Sequence, residues 1–324
     1  MHILTVKNEK DLHGLRDNAL LSVSGCVCAL GFFDGVHVAH RALIKAARDE
    51  AERLCIPLSV FTFSSGSASL KSGQERLLTD KEKLSEFESL GVDTAVVFDF
   101  DVIKNVSADE FIDQILVEKL NTHTAFCGFN FRFGKNAAAN AAMLLERMLK
   151  VGRKAVIIPE HKVSGYTVSS SEIRNLLKQK ELLRAAQLLG KPFFIDGNVS
   201  HGLGLGKSLG FPTVNVGIDR MKFALPNGVY YTALEISGRL YSGITNVGIC
   251  PTFDERELHT ETFILGFDGD IYDSKIRIYF IEFLREEIKF SSKEELISQI
   301  NVDKNRALSF EKEIQWQEIG LSLQ

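Results

Sequence analysis

The chain of 324 residues is long enough for two domains of ordinary size, each with its own core. Apolar residues make up 45% and charged residues 25% of the chain, a composition that excludes a disordered chain or a coiled coil. The formal net charge of -4, from 38 basic and 42 acidic side chains, argues against a nucleic-acid binder with a broad basic surface. Any phosphate group that the protein binds must therefore be held by a small local cluster of residues and not by a broad basic surface.

The protein is expected to be cytoplasmic. The first fifteen residues are mixed in charge and lack the apolar core of a signal peptide, and no apolar run approaches the length of a membrane span. The five cysteines are odd in number and scattered without CxxC spacing, which indicates neither a disulfide framework nor a zinc site.

The first half alternates apolar strand-like runs with amphipathic helical patterns. The predicted strands cover 26–33, 58–63, 94–100, 124–127 and 155–159, and the predicted helices cover 41–54, 80–90, 108–120 and 139–151. This alternation is typical of βαβ units around a parallel sheet, so an α/β Rossmann-like domain is expected. A further helical stretch is predicted over 170–189.

The second half has short strands separated by Gly, Ser, Asn and Asp turns. One hairpin is predicted from 229–236 and 239–247 around Ser237-Gly238, and a second from 261–267 and 271–284 around residues 268–270. An amphipathic helix is predicted over 292–319. The expected second domain is an all-β barrel with a C-terminal helix, and the expected boundary gives domains 1–185 and 186–324.

The segment Gly31-Phe-Phe-Asp-Gly-Val-His-Val-Ala-His40 follows the first predicted strand and precedes the first predicted helix. In an open α/β sheet, ligands bind at the strand end. His37 and His40 are spaced to project on one side of the helix start, where exposed N–H groups also favour an anion. The segment therefore predicts a polyphosphate site, although an isolated HxxH would more often be a cap or surface decoration.

The segment 197–215 reads GNVSHGLGLGKSLGFPTVN. A P-loop would need glycine at His201, and a GxGxxG dinucleotide motif would need glycine at Lys207, so both patterns fail. Thr213 and Asn215 lie two apart in an extended segment and so share a face, although hydrogen bonds to neighbouring backbone would by themselves account for both residues. Taken alone, a glycine-rich loop in a β protein is more often a turn than a nucleotide cradle.

Taken together, these segments resemble the bacterial bifunctional riboflavin kinase/FAD synthetase family. Residues 31–40 are similar to its GxFDGxHxGH motif, 128–134 to its GxNFxFG loop and 168–174 to its ISSTxIR element. Residues 201–215 are similar to the HGxGxGRxLGFPTxN motif of riboflavin kinases, with Lys207 where Arg is usual. Blocks at 226–230, 243–253, 260–263, 270–272 and 285–290 continue the match in order.

The resemblance implies two ATP- and Mg²⁺-dependent reactions: phosphorylation of riboflavin to FMN, and adenylylation of FMN to FAD with release of pyrophosphate. It implies that Glu261 is the general base of the kinase step, which takes the proton of the ribityl 5′-hydroxyl. Thr213 and Asn215 are implied as Mg²⁺ ligands. The residues implied in phosphate binding at this site are Gly202, Gly204, Gly206 and Lys207.

For adenylyl transfer the resemblance implies catalytic roles for His37, His40 and Arg174, which would stabilise the charge of the triphosphate. The other residues implied in ATP or phosphate binding there are Gly31, Asp34, Ser170 and Ser171, and those implied in flavin or substrate binding are Asn130 and Phe131. The expected partners are thus the small molecules riboflavin, FMN and ATP, with neither nucleic acid nor a membrane; the sequence leaves the oligomeric state open.

Several positions of the first half depart from the family pattern. Ala39 replaces the Gly of HxGH, Ala137 and Ala139 replace the usual Arg and Gly after the GxNFxFG loop, and residues 64–69 replace a Pro-His-Pro run. A methyl group near phosphate and a missing guanidinium both predict a slower adenylyl transfer. The alternatives left open are a riboflavin kinase with an inactive first domain, a non-catalytic flavin-binding regulator, and a nucleotidyltransferase for another phosphorylated metabolite.

Overall fold

The computed structural model describes residues 1–15, 25–66, 75–200, 210–249, 258–269, 271–313 and 319–321. The chain divides into two compact units, Met1–Val168 and Ser169–Gln324. This division follows compactness, and the functional boundary between residues 185 and 186 stays a prediction. Within the described part of the chain, no helix combines the length and apolarity needed to cross a membrane.

The first unit is an α/β domain around a parallel sheet. Its described strands are β1 (His2–Val6), β2 (Cys26–Leu30), β3 (Leu58–Phe63), β4 (Thr94–Phe98), β5 (Thr122–Gly128), β6 (Arg132–Phe133), β7 (Ala139–Asn140), β8 (Lys154–Ile158), β9 (Lys162–Val163) and β10 (Tyr166–Thr167). Six of them form a sheet in the order β1-β4-β3-β2-β5-β8, and all its pairings are parallel. Because β2, β3 and β5 are central, the loops at their carboxyl ends meet at one edge of the sheet.

The helices of the first unit begin where the sequence provides caps. They are α1 (Glu9–Gly14), α2 (Val38–Leu54), α3 (Asp80–Ser89), α4 (Phe100–Ile103), α5 (Ala108–Glu110), which continues as a π-helix (Phe111–Lys119), and α6 (Ala141–Lys150). Thr79 forms a capping box with Glu82 at α3, and Asn140 accepts the amide N–H of Met143 at α6. The buried residues of α2, Leu43, Ile44, Ala47 and Ala51, recur at helical spacing and pack its inner face.

The structure confirms the parallel α/β sheet predicted from sequence, including its five predicted strands, with end points that differ by a few residues. Strand β1 was not predicted. It pairs with β4 at the edge of the sheet, and of its five residues only Val6 is fully buried. An edge strand with so few buried side chains has a weak apolar signal.

The second unit begins with two helices and continues as an antiparallel sheet. Its described elements are α7 (Ser170–Lys178), α8 (Leu182–Leu189), β11 (Phe193–Asn198), β12 (Thr213–Gly217), β13 (Gly228–Ile236), β14 (Arg239–Ile249), β15 (Leu258–Ile264), β16 (Lys275–Arg285) and α9 (Lys293–Glu313). The strand order is β11-β16-β13-β14-β15-β12. Beyond β11, Ser200 N–H donates to Asn215 O in β12 at 2.8 Å, so the two edge strands approach each other and the sheet curves into a half-barrel.

One predicted hairpin is confirmed and the other is wrong. Strands β13 and β14 pair around Ser237 and Gly238, whose φ angles of 50° and 75° match the left-handed pair of a two-residue hairpin turn. Strand β15 instead pairs with β14 and β12, while β16 pairs with β13 and β11. Both edges of β15 are therefore occupied by other strands, and β15 and β16 are not neighbours in the sheet.

Candidate active sites

The first candidate site lies where the loop after β2 enters α2. His37 is the N-cap residue of α2, and its Nδ1 accepts the backbone N–H of His40 at 3.3 Å. The loop is tightly turned, with positive φ at Phe33 (55°), Gly35 (84°) and Val36 (39°). This turn brings the His37 ring back over the first turn of the helix, at its positive end.

His37 and His40 form a stacked pair, with ring centroids 3.5 Å apart and an interplanar angle of 13°. His37 is only 5% exposed. The rings of Phe33 and His40 pack edge to face, with their centroids 5.1 Å apart. Burial lowers the pKa of His37 to about 4, with His161 adding a smaller repulsion, and burial lowers the pKa of His40 well below its usual value. Both imidazoles are thus neutral at pH 7. The Nδ1 atom of His40 is buried and has no hydrogen-bond partner among the described residues.

The lowered pKa of His37 predicts a pH-dependent stability. Between the unfolded value of 6.5 and the folded value of about 4, the unfolded chain binds more protons, so stability is lost as the pH falls through this range. The shift corresponds to about 3 kcal/mol for His37 alone. Urea unfolding at about pH 7.5 and about pH 5 should show a smaller loss in His37→Asn than in the wild type, because Asn keeps a capping oxygen but does not titrate. Equal losses would contradict the assignment.

Two further residues of this loop have structural partners. The carboxylate of Asp34 is 5% exposed and accepts the backbone N–H of Leu77 at 2.9 Å, which anchors the segment before α3. A Cβ on Gly31 would lie 3.1 Å from the Phe33 ring, so a side chain there would push on the aromatic packing. The implied phosphate-binding roles of Gly31 and Asp34 stay predictions.

The end of β3 is held by polar contacts where the family has Pro-His-Pro. The Asp80 carboxylate accepts both the amide N–H (3.0 Å) and the hydroxyl (2.7 Å) of Ser65. Lys83 is 2% exposed and donates to Phe63 O at 2.6 Å, and burial lowers the pKa of its ammonium group. Of residues 64–69, which replace the Pro-His-Pro run of the family pattern, residues 67–69 lie outside the described residues.

The GxNFxFG-like loop connects β5 to β6. Its Phe131 N–H donates to Gly128 O at 3.0 Å, which forms a tight turn that leaves Asn130 exposed at the tip. Phe131 is half-buried and stacks on Phe133 at 5.6 Å. At the base, Gly134 has φ 74°, and a Cβ there would lie 3.0 Å from the backbone N of Ala108. The loop is therefore fixed at its base while Asn130 is accessible.

The three alanines that depart from the family pattern lie in different environments. Ala39 is half-buried in the first turn of α2. Ala139 is fully buried and pairs with Phe133 between β6 and β7. Ala137 is exposed and has φ 54°, a left-handed conformation that is strained for alanine. Ala137 therefore stands in an exposed turn, where the family pattern would place a guanidinium.

The Ser-Ser-Ser-Glu-Ile-Arg element begins α7 in the second unit. Ser169 is the N-cap, and its Oγ accepts the N–H of Glu172 at 3.2 Å. Ser170 and Ser171 occupy the first helical turn, and Arg174 follows one turn later. The cap is thus Ser169, and the other two serines retain their implied phosphate-binding role as a prediction, as does Arg174.

The second candidate site lies on neighbouring strands of the antiparallel sheet. Thr213 and Asn215 in β12 pair with β15, where Asn215 lies directly opposite Glu261. The Thr213 hydroxyl donates to Glu261 Oε1 at 2.7 Å. All three side chains are half-buried. The structure therefore brings together the two oxygen ligands and the carboxylate that the sequence analysis singled out separately.

Gly202, Gly204, Gly206 and Lys207 lie outside the described residues, so their roles stay predictions. The sequence analysis also assigned no role to Asn246, which lies in the 243–253 block. Asn246 in β14 lies directly opposite Glu261, on the side of β15 away from β12. Spacing along the chain carries no signal for such a cross-strand neighbour.

Two family models match the chain. The model described as riboflavin kinase matches residues 189–310, and the one described as FAD synthetase matches residues 21–172. The two matches together span most of the chain.

Full-length relatives and a solved structure are also similar. Bifunctional riboflavin kinase/FMN adenylyltransferases are 33% identical in Bacillus subtilis (strain 168), covering 88% of this chain and 92% of the relative, and 31% identical in Escherichia coli (strain K12), covering 93% and 97%. A crystal structure described as a macrolide-efflux protein from Streptococcus pneumoniae is 26% identical, with a TM-score of 0.81 over 94% of this chain and 98% of that one.

Proposed function

The chain belongs to the bifunctional riboflavin kinase/FMN adenylyltransferase family, and we propose how its residues divide the two reactions of that family between two sites. The protein phosphorylates riboflavin to FMN and adenylylates FMN to FAD, with ATP as the donor in both steps. The second unit carries the kinase site and the first carries the adenylyl-transfer histidines.

The contact between Thr213 and Glu261 carries the kinase assignment. The Glu261 carboxylate accepts the Thr213 hydroxyl through Oε1, and this hydrogen bond helps to orient it on β15. In the proposed step, Glu261 takes the proton of the ribityl 5′-hydroxyl while the hydroxyl oxygen attacks the γ-phosphorus of ATP and ADP leaves. The protein positions the two substrates and requires no covalent intermediate.

The donors at this site also fit a magnesium ion. Thr213 gives its proton to Glu261, which leaves the lone pairs of its oxygen for a cation, and Asn215 adds an amide oxygen two residues away on β12. Mg²⁺ prefers such oxygen ligands together with phosphates and water. When bound, the ion would neutralise charge on the ATP phosphates. The residues that would hold it are Thr213 and Asn215.

At the adenylyl-transfer site, the stacked histidines support binding of a polyphosphate. They are neutral and placed at the start of a long helix, where N–H donors converge and a negative charge is favoured; His37 is buried and His40 half-buried. The FMN phosphate oxygen attacks the α-phosphorus of ATP and pyrophosphate leaves, so the site needs to orient substrates and stabilise charge. We assign that role to His37 and His40, and substrate contact to Asn130 and Phe131. Ser170, Ser171 and Arg174, at the start of α7, keep the phosphate-binding role that the resemblance implies.

One time course tests the two activities together. The purified full-length protein is incubated with riboflavin, ATP and Mg²⁺, and FMN and FAD are resolved chromatographically over time. We expect FMN to appear first and FAD after it. Formation of neither product by a folded protein would contradict the function, and omission of Mg²⁺ should abolish both if the metal assignment is correct.

The departures at Ala39, Ala137 and Ala139 predict that FMN accumulates. Loss of one positioned donor to developing charge typically slows a reaction by about 10²-fold. We therefore expect the adenylyl-transfer step, measured from supplied FMN, to be much slower than the kinase step, measured from riboflavin.

The direct test is the variant Ala137→Arg, since this exposed turn can accept a long side chain. The variant should raise the rate of FAD formation and leave the kinase rate unchanged. Comparable rates of both steps in the wild type would show that the departures are neutral.

A fragment of residues 186–324 is predicted to retain riboflavin kinase activity. It contains the whole antiparallel sheet and the Thr213, Asn215 and Glu261 site. It cuts α8, however, and removes buried Leu182 as well as Lys180, whose ammonium lies 4.0 Å from the Phe283 ring centroid. We therefore expect fragment 169–324 to melt at a higher temperature with the same kinase activity. A folded 169–324 fragment that is inactive would refute the domain assignment.

A further inference from the structure

A row of directly opposed residues crosses the sheet of the second unit through Glu261. The row consists of Asn215 in β12, Glu261 in β15, Asn246 in β14, Val229 in β13 and Arg285 in β16. Opposed side chains on neighbouring antiparallel strands have Cβ atoms about 4.5–5.5 Å apart and lie on the same face. Glu261 therefore has an asparagine side chain on each side.

The second of these asparagines is held by a carboxylate from outside the sheet. Glu287, two residues beyond β16, accepts a hydrogen bond from Asn246 Nδ2 at 3.3 Å through Oε1 and one from Asn227 Nδ2 at 3.4 Å through Oε2. Asn227 lies in the segment that enters β13. One carboxylate thus connects the chain after β16, the start of β13 and the strand beside the proposed base.

A glycine makes room for this carboxylate. A Cβ on Gly248 would lie 2.6 Å from Glu287 Oε1 and 3.4 Å from Asn246 Nδ2. Any side chain at position 248 would therefore displace the carboxylate from the strand. Gly248 lies in β14, two residues beyond Asn246 and so on the same face of the sheet.

A carboxylate opposite an asparagine also selects which way the amide points. The ionised carboxylate only accepts hydrogen bonds, so it attracts the NH₂ end of Asn246 and repels the carbonyl end. The Asn246 side chain is thereby held in one orientation next to Glu261. We propose that Glu287 is a positioning residue of the kinase site, which acts on Glu261 through Asn246 and does not itself contact the reacting atoms.

This inference rests on the proposed kinase site at Glu261, and its test uses the full-length chain in a double-mutant cycle. Glu287→Ala and Asn246→Ala should each lower the kcat for riboflavin by about tenfold, with little change in KM, because a small misplacement of catalytic groups lowers the rate more than binding. The double variant should be no slower than either single variant. Glu287→Gln keeps one acceptor oxygen and should lose less activity than Glu287→Ala.

The neighbouring carboxylate Glu286 gives the matched control, since it pairs with Lys180 and not with Asn246. Glu286→Gln should keep the wild-type kcat, and the melting temperatures of all variants should stay close to that of the wild type. A wild-type kcat in Glu287→Ala, or losses that multiply in the double variant, would overturn the positioning role. A near-normal rate in Glu261→Gln would instead overturn the proposed base, so the two failures are distinguishable.

Discussion

Glu261→Gln is expected to lower the rate of FMN formation by about 10²- to 10⁴-fold, the range that general-base catalysis contributes. Glutamine has the same shape and can still accept the Thr213 hydroxyl through its amide oxygen, so the strand pairing around β15 should persist. It cannot take the proton of the attacking hydroxyl. The measurement is the initial rate of FMN formation from riboflavin and ATP under saturating conditions.

Two controls separate lost chemistry from lost structure. The same preparation should still adenylylate supplied FMN at the wild-type rate, because that reaction is assigned to the other site. Glu294→Gln, an exposed acidic residue in the first turn of α9, should keep full kinase activity. A folded Glu261→Gln protein with a near wild-type kinase rate would exclude Glu261 as the base.

His37→Asn is expected to lower the rate of FAD formation from supplied FMN by about 10²-fold or more while leaving the kinase rate unchanged. Asparagine is among the best N-cap residues, so its side-chain oxygen can replace Nδ1 as acceptor for the His40 N–H, and α2 should remain intact. What is lost is the imidazole that is proposed to bind the triphosphate. The assay follows FAD and pyrophosphate together.

The matched control for this variant is His13→Asn, which changes an exposed histidine at the end of α1 in the same unit. It should affect neither reaction. If His37→Asn forms FAD at the wild-type rate with unchanged stability, the stacked histidines have no part in adenylyl transfer. A parallel loss of both activities would instead indicate a general folding defect.

Local signals in the sequence were sufficient for five of the six strands of the sheet in the first unit and for the placement of the histidine pair. The apolar run of β2, the turn and the amphipathic α2 are consecutive, so one continuous segment contains the strand end, the loop and the helix start. The stacking of the two rings and their neutral state were not predictable, because both depend on packing against distant parts of the chain: Phe87 of α3 packs against Phe33, which in turn packs against His40.

Strand pairing in the second unit was only partly predictable for the same physical reason. The β13–β14 hairpin is set by its own two-residue turn, whereas the position of β15 between β14 and β12 depends on residues far apart in the chain. The hydrogen bond between Asn246 and Glu287, which lie 41 residues apart, has no local signature either. The helical stretch 170–189 was predicted without its break between α7 and α8, where Lys180 adopts φ 65°.

The cap at the start of α2 also fixes the tautomer of His37. Its Nδ1 accepts a backbone N–H and so cannot carry a proton, which means that the neutral ring is protonated at Nε2. Nε2–H is then the donor that the ring can offer to an anion, whatever the solution pH above about 4. Protonation of Nδ1 would require the ring to give up the hydrogen bond that caps the helix. Proton uptake at this imidazole and capping of α2 are therefore coupled, and a ¹⁵N chemical shift of the ring would report both.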